Sequence, residues 1–258
     1  MNSNTEKTHD VQPKRVIGIM GKSKSGKDTV GEMLIAHDPR GGLVAFADKL
    51  KMAVADLFGA THEQLYTEEG KKSKTSFPLL KCPACQSIKC EVASPGRDGQ
   101  TQCLSCNALG ETKSFSTFWE WREICQFAGT EFGRAVDANV WVRHAFKAIT
   151  RLMTPMGLGS TDGSVPSTIT PGCFFVAITD CRFKSEMTAI KAAGGEVWRV
   201  RRPEYDNRQT GLAKHQSETE MDTIPDTEFD AVIMNDATLE VLRARVVEQY
   251  ESFRMRHE

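Results

Sequence analysis

Val16-Ile17-Gly18-Ile19-Met20-Gly21-Lys22-Ser23-Lys24-Ser25-Gly26-Lys27-Asp28-Thr29 reads as an apolar strand that empties into a glycine-bounded turn and then into a helix. Gly21 and Gly26 allow the backbone angles that turn successive N–H groups toward one point, and a helix starting near Lys27 aims its positive dipole end there. Lys27 adds a full positive charge suited to the outer phosphates of a nucleotide. The spacing fits G-x-x-x-x-G-K, a phosphate-binding loop. Asp28 stands where the general pattern has Ser or Thr, with Thr29 one place later. Two roles stay open for Asp28: a magnesium ligand, direct or through water, or a base toward the attacking phosphate. The competing reading is a plain Gly/Ser/Lys turn, and the strand before it and the apolar helix after it favour the phosphate loop.

Outward from this run, residues 1–13 read as a polar tail. A strand over 14–20 is followed by a helix over 27–37, with Val30, Met33 and Leu34 at helical spacing and Gly41-Gly42 as its stop. Leu43 to Phe46 reads as a short strand, and Asp48 to Leu57 as a helix with Leu50, Ala53, Val54 and Leu57 on one face. This strand–helix–strand order is the grammar of a parallel sheet, so the fold class expected is α/β, a three-layer α/β/α domain with a mostly parallel central sheet. Farther along, 118–132 and 140–153 read as two helices, and 153–172 as a loop rich in Gly, Ser, Thr and Pro. Strands are expected over 173–179, 196–200 and 230–234, with helices over 183–193, stopped by Gly194-Gly195, and over 237–253.

Ligands of open parallel sheets bind at the carboxyl ends of the strands. Polar residues fall there: the loop after the first strand, Asp48 after the second, Asp180 and Arg182 after Cys173–Thr179, and Arg201-Arg202 after the next. An acid directly after an apolar strand suits magnesium or water organisation, and Arg182 beside it suits a bidentate grip on an acceptor phosphate. Lys27, Asp28, Asp180 and Arg182 are therefore the candidate catalytic residues. Asp180 has an alternative role as the cap of the helix that starts near Phe183.

Four of the eight cysteines form two tight pairs, Cys82-Pro83-Ala84-Cys85 and Cys103-Leu104-Ser105-Cys106, 17 residues apart. That is the spacing of a four-thiolate zinc site, and four thiolates close the tetrahedron and leave no position for a reacting water. A small zinc ribbon inserted at 80–112 follows, in which metal binding at roughly 10–16 kcal/mol supplies the stability that its few apolar residues lack. Cys90 lies off the pattern.

The chain is 258 residues long and 40% hydrophobic, enough for one large domain with an inserted module. Lys plus Arg number 33 against 34 Asp plus Glu, a net charge of −1, so no global basic field argues for DNA or RNA. The polar start and the lack of any long apolar run predict a soluble cytoplasmic protein with no membrane partner.

Taken together, these residues resemble the deoxynucleoside monophosphate kinases of bacterial viruses and some bacteria. The resemblance is carried by Gly21–Thr29, Phe46–Lys51, Arg122–Arg134 with Trp141 following, Thr179–Glu186, Gly194–Pro203, His215–Glu218 and Ile233–Asp236. Asp28, odd against the general loop, is normal in this family. The resemblance implies a P-loop kinase fold over 14–258 and transfer of the γ-phosphoryl group of ATP, with magnesium, to a deoxynucleoside monophosphate for DNA precursor synthesis, and it leaves open which bases are accepted, modified pyrimidines included. It implies an ATP site of Gly21, Lys22, Ser25, Gly26, Lys27, Asp28 and Thr29, with Asp28 and Thr29 on magnesium. It implies an acceptor site of Lys51, Arg122, Gly129, Thr130, Trp141, Asp180, Arg182, Glu186 and Ser217, and a lid-like segment over 201–218. Partners implied are small-molecule nucleotides, with a homodimer by family analogy, and for a viral protein the host cytoplasm as location. The zinc segment departs from the family, since it sits where the family builds its acceptor-binding lobe. Three competitors are a P-loop kinase for phosphomevalonate, a kinase acting on modified bases in DNA, and a non-catalytic zinc-ribbon adaptor.

Overall fold

A computed structural model describes residues 15–92, 100–154, 172–206 and 220–258. The tail, most of the 153–172 loop, and Ser217, His215 and most of the 201–218 segment lie outside the described residues. In chain order the elements are β1 (Val16–Met20), α1 (Lys27–His37), β2 (Gly41–Val44), α2 (Asp48–Phe58), α3 (His62–Tyr66), α4 (Glu68–Lys72) and β3 (Lys74–Leu80). There follow β4 (Cys90–Val92), β5 (Gln100–Cys103), β6 (Leu109–Glu111), α5 (Thr112–Phe115), β7 (Ser116–Glu120), α6 (Trp121–Gln126) and a π-helix over Phe127–Arg134. The chain closes with α7 (Val140–Met153), β8 (Phe175–Cys181), α8 (Lys184–Ala192), β9 (Glu196–Arg201), α9 (Pro203–Asp206), β10 (Ala231–Met234) and α10 (Leu239–His257). Two compact units result: residues 1–49 with 137–258, and residues 50–136.

The first unit is an α/β sandwich whose five-stranded sheet runs β10-β9-β1-β8-β2, parallel at every pairing. Strand β1 lies at the centre with all five residues buried. One face packs on α7 and α8 through Val142, Ala145, Ile149, Leu152, Met187 and Ile190. The other packs on α1 and α10 through Val30, Met33, Leu34, Leu242, Val246, Tyr250 and Phe253. Spacings of three and four put each set on one helical stripe, and truncating one of the leucine, isoleucine or methionine side chains to alanine costs about 2–5 kcal/mol.

Three expectations are corrected. Gly41 and Gly42 lie inside β2 and do not stop α1, which ends at His37. A Cβ on Gly41 would come within 2.4 Å of the Phe175 ring, so the close approach of β2 to β8 is what requires glycine there. The helix expected over 118–132 begins at Trp121, because Thr117 and Phe118 pair with Leu79 and Pro78 in an antiparallel ladder of β3 and β7. Its aromatic-rich start suits a pleated ladder better than a helix. The last helix runs on from 253 to His257, where Arg256 reaches the buried Glu196 at 2.8 Å.

The second unit joins α3, α4, α6 and the π-helix to the β3–β7 ladder, with a three-stranded antiparallel sheet β4-β5-β6 between the two ladder strands in sequence. Among the described residues its cysteine-bearing part has a core of Cys82, Cys103 and Phe115, with Leu80, Cys90 and Ala108 against it.

In the first unit Asp38 ties α1 to α10. It accepts from Arg40 Nε at 2.9 Å, from Arg40 Nη2 at 2.6 Å and from the Tyr250 hydroxyl at 2.5 Å. The Arg40 bonds, and after them that of Tyr250, hold its carboxyl well below the usual carboxylate range although burial opposes them. A depressed folded pKa stabilises above the unfolded value of about 3.9 and is lost as pH falls below it. Asp38→Asn should therefore lose about 1–3 kcal/mol at pH 7 and show a shallower loss of stability below pH about 4 than the parent, measured by urea unfolding across pH.

Candidate functional site

The phosphate loop leaves β1 at Met20 and enters α1 at Lys27. Ser25 N donates to Lys22 O at 3.1 Å, and both Lys24 (φ 65) and Gly26 (φ 95) take left-handed backbone conformations. A Cβ on Gly21 would lie 2.4 Å from Ser25 Oγ and 2.8 Å from Val200 O, so the turn closes on itself only with glycine there. Asn235, just past β10, donates from Nδ2 to Ser25 O at 2.8 Å, and the same nitrogen lies 2.5 Å from where a Cβ on Gly26 would be. Asn235 thus braces the loop from the far edge of the sheet. Lys27 is 6% exposed in the first turn of α1, Asp28 is exposed and Thr29 half-buried. Lys22 pairs with Asp222 at 2.7 Å.

Ser25 Oγ is buried with no hydrogen-bond partner among the described residues. A buried hydroxyl left unpaired costs about 1–3 kcal/mol, and a phosphate oxygen in the cradle is the kind of group that would satisfy it. The residues present therefore fit a nucleotide phosphate.

Beside the loop, β8 carries one extra residue against β1 between the pairs Gly18↔Ile178 and Met20↔Cys181. Bulges of this kind re-aim a side chain. Asp180 sits in it and accepts from Phe46 N at 2.6 Å through Oδ1 and from Ala47 N at 2.9 Å through Oδ2. Asp48 accepts from Ala45 N at 2.9 Å in the same turn. Asp180 is thus a clamp on the β2–α2 turn and is not the cap of α8. That cap is Glu186, 1% exposed, whose carboxylate accepts from Arg182 N at 2.7 Å and Phe183 N at 3.0 Å. Arg182 is half-buried, and Trp141 is a partly buried side chain against the α7–α8 core.

The remaining described acceptor-site candidates lie in the second unit. Lys51 Nζ stands 4.1 Å over the Tyr66 ring. Arg122 Nη2 bonds Glu68 at 2.9 Å, while its Nε is buried with no hydrogen-bond partner among the described residues. Burial raises the Glu68 carboxyl, but the positive charges of Arg122 and Lys71 outweigh it and hold that group below its ordinary value. Gly129 and Thr130 fall in the π-helix, Gly129 buried beside Leu50 and Thr130 half-buried. A π-helix lacks the regular i→i−4 ladder and is frequent at functional sites. The sequence named Gly129, Thr130 and Asp180 and placed Asn235 within the Ile233–Asp236 stretch, but it missed the π-helical form of 127–134, the Asp180 clamp and the brace from Asn235 to the loop. Besides that stretch, the sequence signal for Asn235 is its place past the carboxyl end of an apolar strand.

Also in the second unit, the sulfurs of Cys82, Cys85, Cys103 and Cys106 lie within 4.8 Å of one another, with Cys82–Cys106 at 3.7 Å and Cys85–Cys103 at 3.5 Å. A tetrahedron with metal–sulfur bonds of about 2.3 Å has edges of about 3.8 Å, so the four thiols fit a zinc-type centre. Burial opposes ionisation of Cys103, yet the backbone N–H groups of Cys106 and Ser105 and the adjacent thiols bring it down to about 6. Cys106, despite the N–H of Ala108, is pushed up to about 12 by Cys85 and Cys103. Four thiols so close accommodate one negative charge readily and a second badly, and a divalent cation removes that conflict. Purified protein should carry one thiolate-bound divalent cation per chain by elemental analysis, and Cys103→Ser should abolish it and melt the module, seen as protease cleavage within residues 81–115.

No family model matches the chain. Two known proteins are similar to it in sequence. One, from Acanthamoeba polyphaga mimivirus, bears the name "Putative deoxynucleotide monophosphate kinase" and is 24% identical over 242 residues, 90% of this chain and 94% of its own length. The other, "Uncharacterized protein ORF77" of Ictalurid herpesvirus 1 (strain Auburn), is 31% identical over 118 residues, 45% of this chain and 42% of its own length.

Proposed function

We propose that the chain is a nucleotide kinase that transfers the γ-phosphoryl group of ATP to a deoxynucleoside monophosphate. One observation carries this reading: a phosphate loop at the end of the central strand, in a chain whose similarity to a protein named for that activity spans 90% of its length. Phosphoryl transfer asks for positioning and charge neutralisation more than for covalent help. In this reading the loop residues Gly21 to Thr29 cradle the phosphates of ATP through backbone N–H groups, and Lys27 and Lys22 place positive charge on them. Asp28 and Thr29 hold magnesium, which when bound neutralises charge on the phosphates. Arg182 grips the acceptor phosphate, and Asp180 fixes the turn from which α2 starts. Lys51, Arg122, Gly129, Thr130, Trp141 and Ser217 are the further acceptor-binding candidates that the resemblance suggests, Glu186 positions Arg182 through its backbone N–H, and the cysteine centre is a structural zinc site.

Purified protein incubated with magnesium-ATP and each common or modified deoxynucleoside monophosphate should form ADP and the matching diphosphate. Turnover only on phosphomevalonate or on duplex DNA would keep the loop and reject the acceptor. Lys27→Ala should lower turnover about a hundredfold or more while leaving the bound metal in place, because it removes a charge realised on the transferring group. Arg182→Ala should raise the KM for the monophosphate about tenfold or more with the KM for ATP little changed, measured by steady-state kinetics with each substrate varied.

A further inference from the structure

The cysteine module holds a fifth thiol beside the four. Cys90 opens β4 and stands directly opposite Cys103 of β5 in the antiparallel ladder. The flanking backbone bond runs from Leu104 N to Lys89 O at 2.8 Å, which makes Cys90 and Cys103 a non-hydrogen-bonded pair. In such a pair the Cα atoms are about 4.5 Å apart and the side chains share one face of the sheet. That separation falls in the range a disulfide spans, about 4.4–6.8 Å. Cys90 is half-buried, packs against Cys82, Cys103 and Phe115, and its sulfur lies 3.4 Å from Ser87 O. It is therefore held beside the cluster by the ladder and is not one of its four ligands.

We infer that Cys90 is a resolving thiol: with a hydroperoxide as oxidant, the module forms a Cys90–Cys103 disulfide and gives up its cation. The Cys103 sulfur, a thiolate while it holds the cation, attacks the hydroperoxide oxygen. The O–O bond breaks, a solvent proton completes the departing water or alcohol, and Cys103 is left as a sulfenic acid, oxidised by two electrons. The Cys90 sulfur then attacks the Cys103 sulfur, the S–S bond forms, and the expelled hydroxide leaves as water with the Cys90 proton. One hydroperoxide is reduced and two sulfurs are joined. The cation keeps three thiolates and an open position in place of a closed tetrahedron, so it dissociates. Among the described residues the ladder brings no other residue with a sulfur of its own directly opposite a ligand cysteine.

The test uses the full-length zinc-loaded protein and one equivalent of hydrogen peroxide, with zinc release followed by an indicator dye and disulfides mapped after trypsin. Trypsin separates Cys82 and Cys85 (residues 82–89), Cys90 (90–97) and the second knuckle (98–113). The expected result is one zinc released per chain, peptide 90–97 joined to 98–113 at Cys103, and full reversal by dithiothreitol with added zinc. Cys90→Ser should load the same zinc and release it about tenfold more slowly. Cys90→Ala, which leaves an apolar side chain in the small core, repeats the comparison if serine disturbs loading. Wild-type release rates in both variants, or disulfides confined to the four ligand cysteines, would overturn the inference.

Discussion

Strand β1 is hydrogen-bonded along both edges, to β8 and β9, and buried on both faces. Its alternate side chains feed different cores: Val16 and Met20 go to the α7–α8 side, Ile17 and Ile19 to the α1–α10 side. A slip of one residue would exchange the two sets and break both layers, so the register of β1 is over-determined. The point at which the chain leaves the sheet, Gly21, is thereby fixed in space, and the helix that carries Lys27 starts from it. Asn235 just past the last strand and the β8 bulge at Asp180 both depend on that fixed register, since each reaches its partner from the end or the bulge of a strand whose position the central one sets.

The parts of the fold legible in the sequence are those that composition writes directly. Continuous apolar runs marked β1 and β8, helical stripes marked α1 and α7, and a knuckle repeated at metal spacing marked the cysteine centre. What could not be read depends on contacts between distant residues. Gly41 looks like a helix stop until the Phe175 ring is placed beside it. Phe118 sits in a window as apolar as a helix, and only pairing with Pro78 makes it a strand. Asp180 illustrates the same limit at the site. It was legible as a polar residue past a strand end, but the backbone N–H groups its carboxylate accepts from, Phe46 and Ala47, lie in a turn more than 130 residues away, whereas Glu186 bonds only its neighbours Arg182 and Phe183.

The candidate site residues also differ in how their charge is balanced. Lys22 and Arg122 each have an acidic partner, Asp222 and Glu68, that is more than half exposed. Such pairs contribute little to stability, about 0–1 kcal/mol, so either cation can be given to an anionic ligand at small cost to the fold. Asp38, Arg40 and Tyr250 form the opposite case, a part-buried network whose members serve the packing of α1 on α10.

The β3–β7 ladder brings the two ends of the cysteine module together: Leu80 pairs with Ser116, and Lys81 N donates to Phe115 O at 2.8 Å. Entry and exit are therefore neighbours, and the chain between them is, in topological terms, an elaborated hairpin loop. Closing a loop of any length between the same two strands costs only about 0.6 kcal/mol per doubling. The module is thus a part that evolution can lengthen, shorten or exchange at a single ladder rung, without renegotiating the packing of the helices on either side of it.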